Sequence, residues 1–209
     1  MPDTTDLDLD GYTDLPDGKV AAIVTYLEVT DPATWRLPPP SGVELGAAGR
    51  PGLERYRALF REIGSDWLWF SRLVLPDADL AAVLAEPHRQ IRIARMDDRD
   101  CGLVELDFSD PVNIEVAFFG LVPSAVGRSI GRWLMGEALA ECWAAPRTER
   151  VWLHTCTLDH PAALSFYMKC GFRPYRRAIE IADDPRLAGH LPDAAGVRYP
   201  LLHRSAVAG

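Results

Sequence analysis

Three stretches of this 209-residue chain carry side chains whose types and spacing could do chemistry. The first is Val126-Gly127-Arg128-Ser129-Ile130-Gly131-Arg132, a turn between an apolar run and a helical one. Small residues there let the main chain approach an oxyanion closely. The first amides of a helix are unpaired and lie at the positive end of its dipole. The physical product is a pyrophosphate site, although a glycine-bearing turn also serves as plain punctuation between elements. The spacing matches neither the Walker A nor the dinucleotide fingerprint. The second stretch is Asn113–Val122, the most apolar run, with the carboxylate of Glu115 at its middle. The third is His154-Thr155-Cys156-Thr157-Leu158-Asp159-His160. Strand alternation puts His154 and Cys156 on one face, and His160 could fold back towards them with Asp159. A metal site needs a further ligand held in place, and none is supplied clearly, so no metal is expected. A Cys156–His nucleophile pair lacks an accompanying oxyanion turn.

The elements that must position these residues follow from periodicity. Residues 1–18 form an acidic leader with little to bury, and Val20–Val29 is a first strand rich in β-formers. Leu53, Tyr56, Phe60 and Ile63 share one face of a helix that ends at Gly64-Ser65, and a second helical piece starts near Asp66. Asp77–Ala85 is a third, short helix ended by Pro87. Gln90–Arg95, Gly102–Phe108 and Asn113–Val122 then form an antiparallel meander, its first turn at Asp97–Asp100. Ser129–Trp143 is a helix with Ile130, Leu134, Ala138 and Cys142 on one stripe. Val151–Leu158 is a strand, Pro161–Cys170 a helix closed by Gly171, and Tyr175–Ile181 a last strand. The predicted class is α+β (α/β with a mixed sheet): a central mixed β-sheet, an antiparallel meander followed by β-α-β-α-β, with helices on both faces. The predicted organisation is a leader over 1–18, one domain over 19–182 and a C-terminal extension over 183–209.

The order of meander, glycine turn, helix, strand and HPAALSFYMKCGF resembles the GNAT N-acetyltransferase superfamily, most specifically over Glu115–Phe172. The family's phosphate loop, Gln/Arg-x-x-Gly-x-Gly/Ala, falls on Val126–Gly131, with Val126 in place of Gln/Arg, Ser129 in place of the first motif glycine, and Gly131 matching. The family's Asn-x-x-Ala-x-x-x-Tyr followed by Gly-Phe falls on His160, Ala163, Tyr167, Gly171 and Phe172, with His160 in the Asn position.

The resemblance implies acetyl-CoA as co-substrate. Its pantetheine arm would lie between the strand ending at Leu121–Val122 and the strand Val151–Leu158, paired as an added strand. Its pyrophosphate would rest on the amides of Gly127, Arg128, Ser129, Ile130, Gly131 and Arg132, with His160 and Ala163 nearby. An acceptor amine of pKa about 10.4 is neutral in fewer than roughly one molecule in a thousand at pH 7, so a base is needed. The resemblance assigns that role to Glu115, with Glu105 one strand earlier as its rival. A main-chain amide near Leu121 would hold the oxyanion, and Tyr167 would protonate the departing thiolate. Trp67 and Trp69 are read either as core or as lining of the acceptor cleft.

The balance of 22 Lys+Arg against 30 Asp+Glu, a net charge of −8, excludes a general phosphate-backbone binder, so no nucleic acid is expected as partner. No apolar run is long enough to span a bilayer, and the acidic N-terminus lacks the apolar region of a secretory signal. A cytoplasmic protein acting on a small-molecule amine is expected. Two other readings stay open: a non-catalytic acyl-CoA-binding module, and a protein lysine or N-terminal acetyltransferase. Four cysteines without a CxxC pair read as reduced thiols. The segment after Asp183 could complete a homodimer.

Overall fold

The computed structural model describes residues 6–32 and 35–202. Its strands are β1 (Lys19–Val29), β2 (Val43–Leu45), β3 (Arg89–Met96), β4 (Arg99–Asp107), β5 (Asn113–Leu121), β6 (Arg150–Cys156) and β7 (Arg173–Asp183). Its helices are α1 (Leu53–Gly64), α2 (Asp77–Ala85), α3 (Ile130–Ala144) and α4 (Ala163–Lys169). One seven-stranded sheet runs in the order β2-β3-β4-β5-β6-β1-β7. Every pairing is antiparallel except β5 with β6, the parallel crossover carried by α3. This is the mixed α+β sheet expected from the sequence.

Local chemistry explains the elements. β3 and β4 meet at Asp97 and Asp98, whose φ values of +50° and +63° make the two-residue hairpin turn whose twist suits the strands. Aspartate tolerates this region because its short polar side chain bonds locally. In α1, Tyr56, Leu59, Phe60 and Ile63 form a buried stripe. In α3 the buried stripe includes Ile130, Leu134, Ala138 and Cys142.

The two helix pairs take opposite faces. Gly120 of β5 approaches Ile63 of α1 so closely that a Cβ there would lie 2.4 Å from its side chain. The next residue, Leu121, packs instead against Gly131 of α3. We call the α1 side the front and the α3/α4 side the back.

Several elements depart from expectation. The helical piece near Asp66 is only a 3-10 turn, Ser65–Trp67, ended by Leu68 at φ +53°. Helix α4 begins at Ala163, with Pro161 in the turn before it. The three-residue strand β2 is too short for periodicity to reveal. The first strand, whose neighbours the sequence left open, inserts between β6 and β7. Residues 184–200 contain no helix or strand, yet they fold back on the front of β1. There Leu191 and Ala195 are buried with Ala22, Leu68 and Leu158. Arg186 fastens this segment, its guanidinium donating to Asp184 (2.7 and 2.9 Å) and to the carbonyls of Ala195 and Tyr199.

Because β1 is interior, its core side chains should carry stability. Leu27 is fully buried, and Leu27→Ala should cost about 2–5 kcal/mol. Urea unfolding should register this as a lower midpoint at unchanged slope.

Candidate active site

Strands β5 and β6 pair only over Asn113↔Arg150, Ile114↔Val151 and Glu115↔Trp152. Beyond that point β5 stays bonded to β4 and β6 to β1, so the two strands diverge. The divergence coincides with a bulge. Glu105 faces Phe118 while Leu106 faces Val116, leaving Ala117 as the extra residue. Bulges bend the strand that carries them and raise its twist. The N–H of Val122 donates to the Cys101 carbonyl on the β4 side (3.0 Å). By strand alternation the main-chain groups of Leu121 and Phe119 point the other way, into the gap. An extended, amide-bearing chain fits such an edge. Val122 departs from its expected role: its amide is committed to Cys101 and its side chain is buried.

The gap leads to the start of α3. Among the described residues, no main-chain acceptor takes the N–H of Gly127, Arg128, Ser129, Ile130, Gly131 or Arg132; the first paired amide is that of Trp133, to the Ser129 carbonyl (3.2 Å). Six consecutive free donors at the positive end of a 15-residue helix fit an anion such as a diphosphate. Gly127 lies at φ +81° and Ser129 at φ +61°. The serine therefore occupies a left-handed conformation that glycine adopts without strain. The Ile130 side chain is fully buried, so it can contribute only its amide. Arg128 is exposed, with a guanidinium nitrogen 4.0 Å from the Met96 sulfur. The Arg132 guanidinium lies over the Trp35 ring at 5.2 Å.

The two candidate carboxylates behave differently. Glu105 is fully buried on the front face and accepts hydrogen bonds from Tyr56 Oη (2.6 Å), Arg72 (2.5 Å) and Arg89 (2.7 Å). A buried charge so enclosed is an anchor, and its lone pairs are occupied. The same carboxylate, after burial itself, drives the Tyr56 phenol pKa far upward. Sequence reasoning missed Arg72, Arg89 and Tyr56; the available signal was Glu105 itself, since an acid in a buried strand needs partners.

Glu115 sits at the mouth of the gap and is partly exposed, with one carboxylate oxygen 4.0 Å from His154 Nδ1 across it. Burial raises its pKa, the charges of Asp107 and Glu105 add to the rise, and Arg89 and Arg72 oppose it. A carboxylate with free lone pairs and a raised pKa is suited to general-base work.

On the back face Tyr167 is buried, its ring packed on Phe119, Phe166 and Phe172 at centroid distances of 5.4–6.2 Å. Burial, then the charge of Asp159, pushes its phenol pKa well above 10, so it is protonated at neutral pH. Phe166, one residue before it, stacks on Phe119 of β5 (5.6 Å), so α4 lines the back of the gap. Ala163, half-buried, opens that helix against the core.

The front of the gap is roofed. Trp69 approaches Gly120 on β5, and its indole N–H donates to Asp159 just past β6 (2.9 Å). The other Asp159 oxygen accepts from the Thr155 hydroxyl (2.7 Å) and the Cys156 amide (2.8 Å). His160 Nδ1 accepts from the Ala162 amide (3.0 Å), and its ring meets the edge of Trp67 at 4.9 Å. Thus the two tryptophans and the HTCTLDH stretch come together as a roof, with Asp159 as its pin. Burial pushes the Cys156 thiol up to about 12, the Asp159 charge adding to it, which removes any nucleophilic thiolate.

Two other features lie nearby. Glu86, His88 and Asp107 bring possible ligand atoms within 4.8 Å of one another. Arg89 stands among them, bonded to Glu86 (2.7 Å) and Asp107 (2.9 Å), and supplies the positive charge there. A cavity of about 1300 Å³ opens beside α1, lined by Arg55, Leu59, Ile91, Ile93 and Asp100. It uses a different face of α1 from the one turned to the gap, and Arg55 and Asp100 pair with each other at 2.6 Å.

Solved structures share this fold. A GCN5-related N-acetyltransferase from Sphaerobacter thermophilus superposes with a TM-score of 0.57 at 15% identity, over 78% of this chain and 52% of that one. A GCN5-related N-acetyltransferase from Kribbella flavida gives 0.53 at 18%, over 82% and 63%. A tandem GNAT protein from the clavulanic acid biosynthesis pathway gives 0.52 at 18%, over 78% and 53%. The chain thus spans between about half and two thirds of the length of these proteins. No curated protein matches it. Among the described residues, no helix is long and apolar enough to cross a membrane. The sequence pattern of the Acetyltransferase (GNAT) family matches residues 56–172, more than half of the chain and the whole span from α1 to the turn after α4, and the chain belongs to that family.

Proposed function

We propose that the chain is an N-acetyltransferase that moves an acetyl group from acetyl-CoA to a primary amine of a small molecule. The observation that carries this reading is the continuity of two unpaired main-chain tracks: the gap-facing edge of β5 and the six free amides at residues 127–132. One track suits the amides of a pantetheine arm and the other its diphosphate. When bound, the co-substrate supplies an activated acyl group on sulfur.

The chain's own residues then have distinct tasks. Glu115 takes a proton from the acceptor ammonium, directly or through water, and His154 Nδ1 stands 4.0 Å from its carboxylate across the gap. The Leu121 amide, turned into the gap, donates to the acyl oxygen as negative charge grows there. Tyr167, protonated at neutral pH, delivers a proton to the sulfur as it departs.

The roof supports a small acceptor. The Gly196 amide donates to the Ser65 carbonyl (3.2 Å), and the Tyr199 hydroxyl donates to the Thr157 carbonyl. These bonds tie the C-terminal extension to the turn that leads into Trp67 and to the end of β6, the two segments that meet over the front of the gap. The front wall carries the carboxylates Glu105, Asp107 and Glu115 against the guanidiniums Arg72 and Arg89, a balance that favours a cationic amine.

The test is acetyl-CoA binding by calorimetry together with thiol release over a panel of amines. Binding without release on any amine would favour the non-catalytic module. Tyr167→Phe should lower kcat by about a hundredfold or more, with acetyl-CoA affinity nearly unchanged, because the ring and its packing remain. Since the Glu115 pKa is raised above 4.5, the active base form is lost as pH falls through that higher value. kcat/KM should therefore show an acidic limb above pH 4.5, and Glu115→Gln should remove the limb and most of the rate. Ser129→Gly should raise stability by about 1 kcal/mol by relieving the left-handed serine. It should leave acetyl-CoA affinity intact if main-chain amides hold the diphosphate; a tenfold loss would make the hydroxyl a ligand.

A further inference from the structure

The sheet ends in an unusual edge. β7 is 11 residues long and nine of them are exposed. One side of it bonds to β1; no strand takes the other side among the described residues. Folded proteins usually blunt such edges with short strands, prolines or inward charges, because a free row of N–H and C=O groups recruits another strand. Here the sole proline, Pro174, and the bulge at Tyr175 both lie near the start, so residues 176–183 form a regular open edge. The edge also has an apolar back face: Ile23 and Ile179 are cross-strand neighbours, Ile181 lies beside them, and their exposures are 45%, 47% and 39%.

The order of charges along β7 names the occupant. We propose that β7 pairs antiparallel with β7 of a second copy, about a twofold axis at Ala178, making one continuous sheet across a homodimer. In that register Arg176 faces Glu180 of the partner subunit, and the twofold repeats the pair, while Ala178 faces its own copy. Antiparallel residues directly opposite each other must share a face, and 176 and 180 do. Within the chain neither side chain has an ion-pair partner among the described residues; Arg176 only caps the Tyr26 ring at 3.8 Å. The neighbouring registers are worse. A slip one way sets Arg177 against its own copy. One step the other way leaves Arg176 and Glu180 each opposite an alanine, and the next sets Glu180 against itself. Opposite charges across strands stabilise and like charges destabilise, so the charge order selects one register. The twofold also keeps the faces aligned, and the Ile23, Ile179 and Ile181 patches of both copies join on one side. This edge is separated from β6 by β1 alone, and the inference does not depend on the proposed reaction.

The experiment is sedimentation equilibrium on the full chain and three variants, with folding checked by circular dichroism. Wild type should be dimeric at micromolar concentration. Arg176→Glu and Glu180→Arg should each weaken the dimer by about tenfold or more, and the double reversal should restore it. An independent probe is Ala178→Cys. Opposed Cα atoms of an antiparallel pair lie roughly 4.5–5.5 Å apart, within disulfide reach, so mild oxidation should give a covalent dimer that wild type does not form. A monomeric wild type, which would leave the edge to some other partner, overturns the proposal. So does a dimer indifferent to both single reversals, or one that Ala178→Cys fails to cross-link.

Discussion

Two parallel strands that stop bonding after Glu115 and Trp152 must leave unsatisfied main-chain groups on both sides of the gap between them. Such groups are costly unless something pairs them, so the gap exists only because each strand is held from outside. β4 holds β5 along its length, and the Ala117 bulge turns β5 away. β1 holds β6 over Val24–Val29. The site is thus the place where two well-bonded half-sheets fail to meet. An extended chain with its own amides would fit the open edge there, and the free amides of residues 127–132 continue the same line of donors.

The front face adds the electrostatic setting. Glu105, Arg72, Arg89 and Tyr56 form a buried cluster whose members satisfy one another, although Arg72 Nε has no partner. Removing any single member would leave an uncompensated buried charge or dipole, which is far more costly than the intact cluster. The cluster therefore fixes α1 and the loop after it to β4. It also contributes to the field felt by Glu115, whose pKa is raised first by burial and then by Asp107 and Glu105, with Arg89 and Arg72 opposing. Glu105 and Glu115 lie on the same face of adjacent strands, yet enclosure makes one a structural anchor and openness leaves the other available to substrate.

Much of this was legible in the chain. A run of β-formers marked β1, a period-two run opened the meander, and a 3.6-residue stripe marked α1 and α3, because burial imposes those patterns directly. Gly127 marked the turn into α3, since a left-handed backbone constrains residue type locally. What was not legible depends on distant partners. The insertion of β1 between β6 and β7 is a long-range pairing, and its side-chain pattern is the same wherever it docks. Arg72 sits in a loop with no period, so only a buried acid elsewhere explains it. Asp159 looked like one member of a ligand-rich stretch; its role as a pin follows from Trp69, ninety positions earlier. The Ser129 substitution was visible, but its cost was not, because φ is a property of the folded turn.

The roof connects these levels. Asp159 holds Trp69 over the front of the gap, braces the end of β6 through Thr155 and Cys156, and contributes charge at Tyr167 and Cys156 behind it. Burial first, and this negative charge second, keep both the phenol and the thiol protonated, which disfavours Cys156 as a nucleophile and leaves Tyr167 with a proton to give. The C-terminal segment locks the same roof from above through Gly196 and Tyr199. Roof position and the ionisation of Tyr167 are therefore coupled through one carboxylate, which holds Trp69 in front and adds its charge behind.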